Sequence, residues 1–184
     1  MPNISGLWGR KKPAALDPGI FQYIAGYPDL IEAFGHTPEL APEHYIIHGR
    51  KEGRDTTRFD GLRYIASNED LIAVLGVDAA AGCRHYVEHG YLERRSTVGF
   101  HPLRYIASHA DLIAAFALDT DAATKHYVEH GHTEGRTTSG FDPDRYLAAN
   151  ADLVVFSGDP DAAARHYIEY GFHEGRPTGA SRSR

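Results

Sequence analysis

Two patterns of polar residues in this sequence are spaced for chemistry. The first is a set of histidine pairs at i, i+4: His44/His48, His85/His89 and His126/His130. On a helix such residues lie one above the other, with Cβ atoms roughly 5–6 Å apart. Two imidazoles at that spacing can grip one zinc, nickel or copper ion. A complete site needs further ligands, for which Glu88, Glu129 and His132 are the nearest candidates. The matching position in a fourth place holds Tyr170 beside His166, so the pattern persists without the pair. The bland alternative is that one histidine packs against the neighbouring unit and donates a hydrogen bond. The other then sits near a helix C-terminus, where the dipole favours a positive imidazole. No bound metal or cofactor is therefore expected, and His85, His89, His126 and His130 are the positions that would hold a metal. The segments His85–His89 and His126–His130 also fit H-x-x-E-H, an inverted zinc-protease motif. A protease needs one such helix and a distant third ligand. Here the string recurs and varies at Ile47 and Tyr170, so it reads as framework and no catalytic activity is expected.

The second pattern is a carboxylate and a guanidinium two residues apart: Glu52/Arg54, Glu93/Arg95, Glu134/Arg136 and Glu174/Arg176. Such groups can hydrogen-bond each other or a neighbouring helix end and so tie stacked units together. They can also form a row of clamps for a polymer with a matching repeat. Tyr, His, Arg and Glu together suit sugars, because aromatic faces stack on rings while charged groups hold hydroxyls. These eight residues are the candidate ligand-binding positions.

Both patterns recur because the chain does. His-Tyr stands at His44, His85, His126 and His166, at steps of 41, 41 and 40 residues. Tyr23, Tyr64, Tyr105 and Tyr146 keep the same register, as do the Asp-Leu pairs beginning at Asp29, Asp70, Asp111 and Asp152. Phe59, Phe100 and Phe141 recur at 41 residues, and a Gly follows each repeat His at Gly49, Gly90, Gly131 and Gly171. Four units of about 41 residues result, roughly 16–58, 59–99, 100–140 and 141–177, within a repeat domain of 15–177. Segments 1–14 and 178–184 fall outside the register, are basic, and are expected to be mobile.

Each unit reads as three short helices and a turn. Asp17-Pro18 and Asp142-Pro143 are N-caps with Pro just inside the helix. Asn68, Asn150 and the Tyr27-Pro28 pair mark the start of a second helix, which ends near Phe34, Leu75, Phe116 and Phe156. The third helix opens at Thr37, Asp78, Asp119 and Asp159. A left-handed C-cap is expected at the Gly after His-Tyr, and the Gly of Glu-Gly-Arg suits a further turn with positive φ. No two-residue alternation calls for strands. The expected fold is all-α: four tandem helical repeats stacked as a short solenoid or compact array.

Composition narrows the function classes. The chain has 184 residues, 42% hydrophobic and 24% charged, which fits a globular protein. A net charge of −6 argues against a nucleic-acid binder. Cys83, the one cysteine, builds neither a disulfide nor a cysteine zinc site. It replaces Pro42, Thr124 and Ala164, so it reads as a small residue of the third helix. Tyr64, Tyr105 and Tyr146 read as packing, and Trp8 lies outside the array. No run approaches a membrane span, and the start lacks the apolar stretch of a secretory signal. A cytoplasmic location, export without an N-terminal signal, or a place in a particle are the expectations that remain.

The last unit carries a resemblance. Phe141-Asp142-Pro143-Asp144-Arg145-Tyr146-Leu147-Ala148-Ala149-Asn150-Ala151-Asp152-Leu153 is followed by His166-Tyr167 and Gly171-Phe172-His173-Glu174-Gly175-Arg176. It resembles a bacterial tandem repeat of the form F-D-x-x-x-Y-L-A-x-N-P-D-L, a gap, then H-Y-x-x-x-G-x-x-E-G-R. Repeats of that type are accessory modules of glycosyltransferases of surface-polysaccharide synthesis and of exported calcium-binding exoproteins. The resemblance implies a non-catalytic module that binds or scaffolds at a bacterial cell surface, with a surface polysaccharide or a protein of a larger assembly as partner. Two other readings stand beside it. One is a purely structural subunit, a decoration or linker protein of a virion or appendage. The other is a metal- or pH-responsive protein, since protonating all 12 His would carry the formal charge from −6 to +6.

Overall fold

A computed structural model describes residues 17–179. Of the terminal segments expected to be mobile, 1–14 and, from 178–184, all but Thr178 and Gly179 lie outside the described residues. Within them the chain is all-helical, with no strand, and forms four stacked copies of one unit. The first copy contributes α1 (Pro18–Ala25), α2 (Pro28–Phe34) and α3 (Ala41–His44). The second contributes α4 (Gly61–Ala66), α5 (Glu69–Leu75) and α6 (Ala79–His85). The third contributes α7 (Pro102–Ala107), α8 (Ala110–Phe116) and α9 (Thr120–His126). The fourth has α10 (Pro143–Ala149), a tight 3-10 helix over Ala151–Phe156 in place of a second α-helix, and α11 (Pro160–His166).

The expected caps mostly form. Asp17 accepts from the Gly19 amide, and Asp142 from those of Asp144 and Arg145. Asp78, Asp119 and Asp159 accept from Ala81, Ala122 and Ala162 at 2.9 Å, satisfying an amide that the first turn leaves unpaired. Asn68 and Asn150 stand at helix starts, but their side chains do not cap. Each instead donates Nδ2 to two carbonyls, one of the first helix and one downstream: Tyr64 and Ser96 for Asn68, Tyr146 and Pro177 for Asn150. They pin the closing turn to the first helix.

The expected left-handed cap at Gly49, Gly90, Gly131 and Gly171 is corrected. Each third helix runs on through these glycines as one wide π turn, over Tyr45–Gly49, Tyr86–Gly90, Tyr127–Gly131 and Tyr167–Gly171. The amide after each Gly reaches back five residues to the Tyr carbonyl, at 2.8–3.0 Å. The reason is steric. A Cβ on Gly90, Gly131 or Gly171 would lie 2.2 Å from the hydroxyl of Tyr64, Tyr105 or Tyr146. Only a residue without a side chain lets the buried tyrosine reach the helix backbone there. The left-handed position comes four residues later, at Gly53, Gly135 and Gly175, each at φ 67°. The next amide, of Arg54, Arg136 or Arg176, then bonds the carbonyl of Gly49, Gly131 or Gly171. That six-to-one closure is the Schellman arrangement.

Copies join by a repeated contact: the first helix of one copy packs on the third helix of the next, α1 on α6, α4 on α9 and α7 on α11. Polar bonds fix the register of the stack. Gln22 Nε2 donates to the Phe59 carbonyl, and Arg63 Nε to that of Phe100. The amides of Phe100 and Phe141 donate to Ser67 and Ser108 Oγ of the preceding copy. Tyr64, Tyr105, Tyr146, Ile24, Ile65 and Ile106 are fully buried in one continuous core. Phe59, Phe100 and Phe141 stack on Tyr86, Tyr127 and Tyr167, ring centroids 4.6–4.8 Å apart. Cys83 is buried in this stack, where loss of solvent pushes its thiol up to about 11. That environment suits a packing residue, not a nucleophile.

Candidate functional site

The repeated polar residues converge on two constellations, each built four times. In the first, the buried tyrosine of the first helix shares a hydrogen bond with Nδ1 of the repeat histidine at the end of the third. The pairs are Tyr23–His44, Tyr64–His85, Tyr105–His126 and Tyr146–His166, at 2.8–3.1 Å. Both partners belong to one copy, so this hydrogen bond closes the histidine's own unit. Burial pushes the phenols of Tyr64, Tyr105 and Tyr146 up to about 12. Burial, then the charges of Arg95 and His89, hold His85 below the ordinary imidazole range. Burial, then Arg136, does the same at His126. Neutral imidazole is the form that fits at His85 and His126.

The second histidine of each pair lies next to the first, with ring centroids 5.5 Å apart for His44/His48, 5.4 Å for His85/His89 and 5.7 Å for His126/His130. Of the candidate further ligands, Glu88 borders the same recess as His85 and His89, while Glu129 and His132 go elsewhere. Glu129 lies 3.9 Å from Lys125. His132 lies 3.9 Å from Glu69 of the preceding copy and edge-on to the Tyr127 ring. Among the described residues, no three His, Cys, Asp or Glu are grouped to hold a metal ion.

In the second constellation each Glu/Arg pair acquires a third member. Arg95 Nε donates to Glu93 at 2.5 Å, while its Nη1 donates to both oxygens of Asp70 at 2.7 and 2.8 Å. Arg54 engages Glu52 and forks onto Asp29. Arg136 joins Glu134 to Asp111, and Arg176 joins Glu174 to Asp152. The Schellman turn holds the arginine over the start of the second helix, where the aspartate sits in the first turn. The guanidinium holds all four aspartates below the ordinary carboxylate range. Glu93 and Glu134 are lowered in the same way. The aspartates recur in the sequence in step with Glu-x-Arg, and that shared register was the signal that would have assigned them. Each triad binds one cation to two anions and so leaves one net negative charge, repeated along the array.

An open groove of about 580 Å³ runs across copies one to three. Gln22, Thr57, Asp60, Leu62 and Asp121 line it, with Ala79 and Ala80. Its residues vary from copy to copy, so periodicity gave no sign of it. A second recess of about 420 Å³ lies beside His85, Glu88 and His89, below Arg84 stacked on the Phe21 ring.

No protein-family model, no curated protein and no solved structure matches this chain.

Proposed function

We propose that this chain is a non-catalytic repeat module for binding or scaffolding at a bacterial cell surface, with a surface polysaccharide as its preferred ligand. The observation that carries this reading is the groove across copies one to three. It offers carboxylate, amide and hydroxyl groups beside the apolar edge of Leu62, a mixture suited to sugar hydroxyls and ring C–H faces. The eight Glu and Arg residues first considered as clamps bond one another and an aspartate within their own copy. Their role in this reading is to brace the units, and recognition falls to residues that differ between copies. The negative triads disfavour a strongly acidic polymer along their edge, so a neutral or amine-bearing glycan fits best.

The test is binding of the purified protein to a panel of neutral, acidic and amine-bearing bacterial surface polysaccharides at moderate salt. Saturable binding to a neutral or amine-bearing member, weakened in Asp121→Ala with the fold intact, supports the reading. Failure across the panel contradicts it. A second reading, a structural subunit of a larger assembly, is favoured by apolar side chains left in solvent, notably Val154 and Val155 at 73% and 79% exposed. It expects stable association with a protein partner and indifference to every glycan.

A further inference from the structure

The groove across copies one to three has a counterpart one copy further along. A recess of about 150 Å³ spans copies two to four, between Arg63, Asp121, Asp161 and Arg165. Its walls are those of the groove displaced by one repeat. Arg63 stands in the register of Gln22, Pro102 of Gly61, Thr120 of Ala79, Asp121 of Ala80 and Asp161 of Asp121. Larger side chains fill at this step what Gly61, Ala79 and Ala80 leave open at the step before. The two spaces adjoin, because Asp60, Asp121 and Thr124 line both. One polar track therefore crosses all four copies. It is roomy beside Gln22, and narrow and charged beside Arg63.

The charges at the narrow part differ from those of the triads, where each arginine is held by two carboxylates. Among the described residues, Arg63, Arg165, Asp121 and Asp161 form no ion pair. Arg63 is half-buried and uses Nε to hold the Phe100 carbonyl, which leaves both terminal nitrogens to donate elsewhere. Arg165, Asp121 and Asp161 are exposed. Asp60 accepts from the Arg63 amide and keeps acceptor capacity to spare. A positive field reaches the nearby His101: burial, then Arg104 and Arg63, hold its imidazole below the ordinary range against the pull of Asp161. A guanidinium matches a carboxylate in a planar fork, and a carboxylate only accepts, as an ammonium requires. Groups of both signs, not paired with each other, suit a ligand that brings both.

We propose that this track is a binding site for a zwitterionic glycan, one whose repeating unit carries both an ammonium and a carboxylate. Asp60 and Asp121, on the wall the two spaces share, take the ammonium. Arg63 and Arg165 take the carboxylate, and Gln22 and Thr57 meet neutral hydroxyls in the wider part. Such a polymer is close to neutral overall, so the negative triads do not repel it. The proposal rests on the glycan reading and narrows it: an anionic group is admitted beside a cationic one.

The test is calorimetric titration of the full chain with oligosaccharides of one backbone, at a mildly acidic pH that keeps amines protonated and carboxylates ionised. Chitin oligomers are neutral, chitosan oligomers carry ammonium groups, and O-carboxymethylated chitosan oligomers carry both charges. The doubly charged oligomer should bind most tightly, about tenfold above chitosan for one charge-assisted contact to a half-buried arginine. Arg63→Gln should bring it down to the affinity of chitosan with the fold intact, because Gln22 makes the same bond to the next copy. Arg165→Gln changes an exposed residue and should also lower the preference. Lys125→Gln removes a positive charge in the same register one copy back, where Lys125 faces Glu129, and should leave the preference in place. Equal binding of chitosan and its carboxymethylated form, or a preference that survives both arginine changes, overturns the proposal and leaves the glycan reading standing. Binding by none of the oligomers also overturns it, and the glycan reading is then decided by the wider panel alone.

Discussion

At the scale of single residues, the repeated side chains are spent on one another. Tyrosine hydroxyl, histidine Nδ1 and the bare glycine form one unit of close contact, so each is recurrent for the sake of the others. Gly90→Ala places a methyl group 2.2 Å from the Tyr64 hydroxyl and is expected to cost about 1–3 kcal/mol of unfolding free energy, the usual cost of overpacking, read by urea titration. Arg94 makes the opposite case. It holds φ 56° where the other copies have glycine, a conformation that a side chain disfavours by roughly 1–2 kcal/mol. Arg94→Gly should therefore raise stability by about 1 kcal/mol, after allowing for the greater freedom that glycine gives the unfolded chain. The departure of Glu93-Arg94-Arg95 from Glu-Gly-Arg was visible in the sequence, but its conformation was not, because φ depends on where the helix stops. The histidine pairs were visible too. What their spacing could not show was that Tyr64 and Tyr105 engage Nδ1 of the first member and that Glu129 and His132 turn to other partners. Zinc is accordingly expected to leave the melting temperature unchanged, in the parent and in His85→Ala/His89→Ala alike. A gain in the parent lost in the variant would restore the metal reading.

At the scale of elements, caps and prolines placed the helices well, because they act within a few residues. Asp119 is such a cap, and Asp119→Ala is expected to lose about 1 kcal/mol, measured in the same titration. The third helices run on past Gly90 and its equivalents, and the left-handed position falls four residues later. A glycine needed for close approach and a glycine needed for positive φ look identical in sequence. Only the position of the tyrosine hydroxyl separates Gly131 from Gly135. The fourth copy shows a further limit: Ala151–Phe156 matches the second helices of the other copies in pattern, yet winds as a 3-10 helix with Leu153 at φ −94° and ψ 16°. Its Leu147 is half-buried where Ile106 is fully buried. Among the described residues no copy stacks on α10, so in this chain it should exchange its amide hydrogens faster than α7, since in such stacks each unit is held by its neighbours. Equal protection in the two helices would contradict the stacking order.

At the scale of the whole molecule, four copies multiply every local effect. His85 and His126 have folded pKa values held below that of the unfolded chain, about 6.5. Stability tied to them is complete above that pH and declines as pH falls through it, because the unfolded chain takes up protons first. Asp29, Asp70, Asp111 and Asp152 sit below their ordinary 3.8. Their contribution holds above that value and is lost as pH falls further. Tyr64, Tyr105 and Tyr146 act at the other extreme: their contribution is full below pH 10 and is lost as pH rises towards about 12. A melting temperature followed against pH should thus be highest between about 7 and 10 and fall in two stages on the acid side. A flat profile between pH 7 and 5 would remove the histidine contribution. The measurement that bears most directly on the role of the repeated residues is equilibrium urea unfolding of the chain carrying Tyr64→Phe, Tyr105→Phe and Tyr146→Phe together. Each change deletes one buried hydroxyl and strands one histidine nitrogen, at about 1 kcal/mol apiece, in sites far enough apart to add. If these residues exist to hold the copies closed, unfolding free energy should drop by about 3 kcal/mol with an unchanged denaturant slope. An unfolding midpoint equal to that of the parent would contradict it, and would return the tyrosine–histidine row to candidacy as a binding surface.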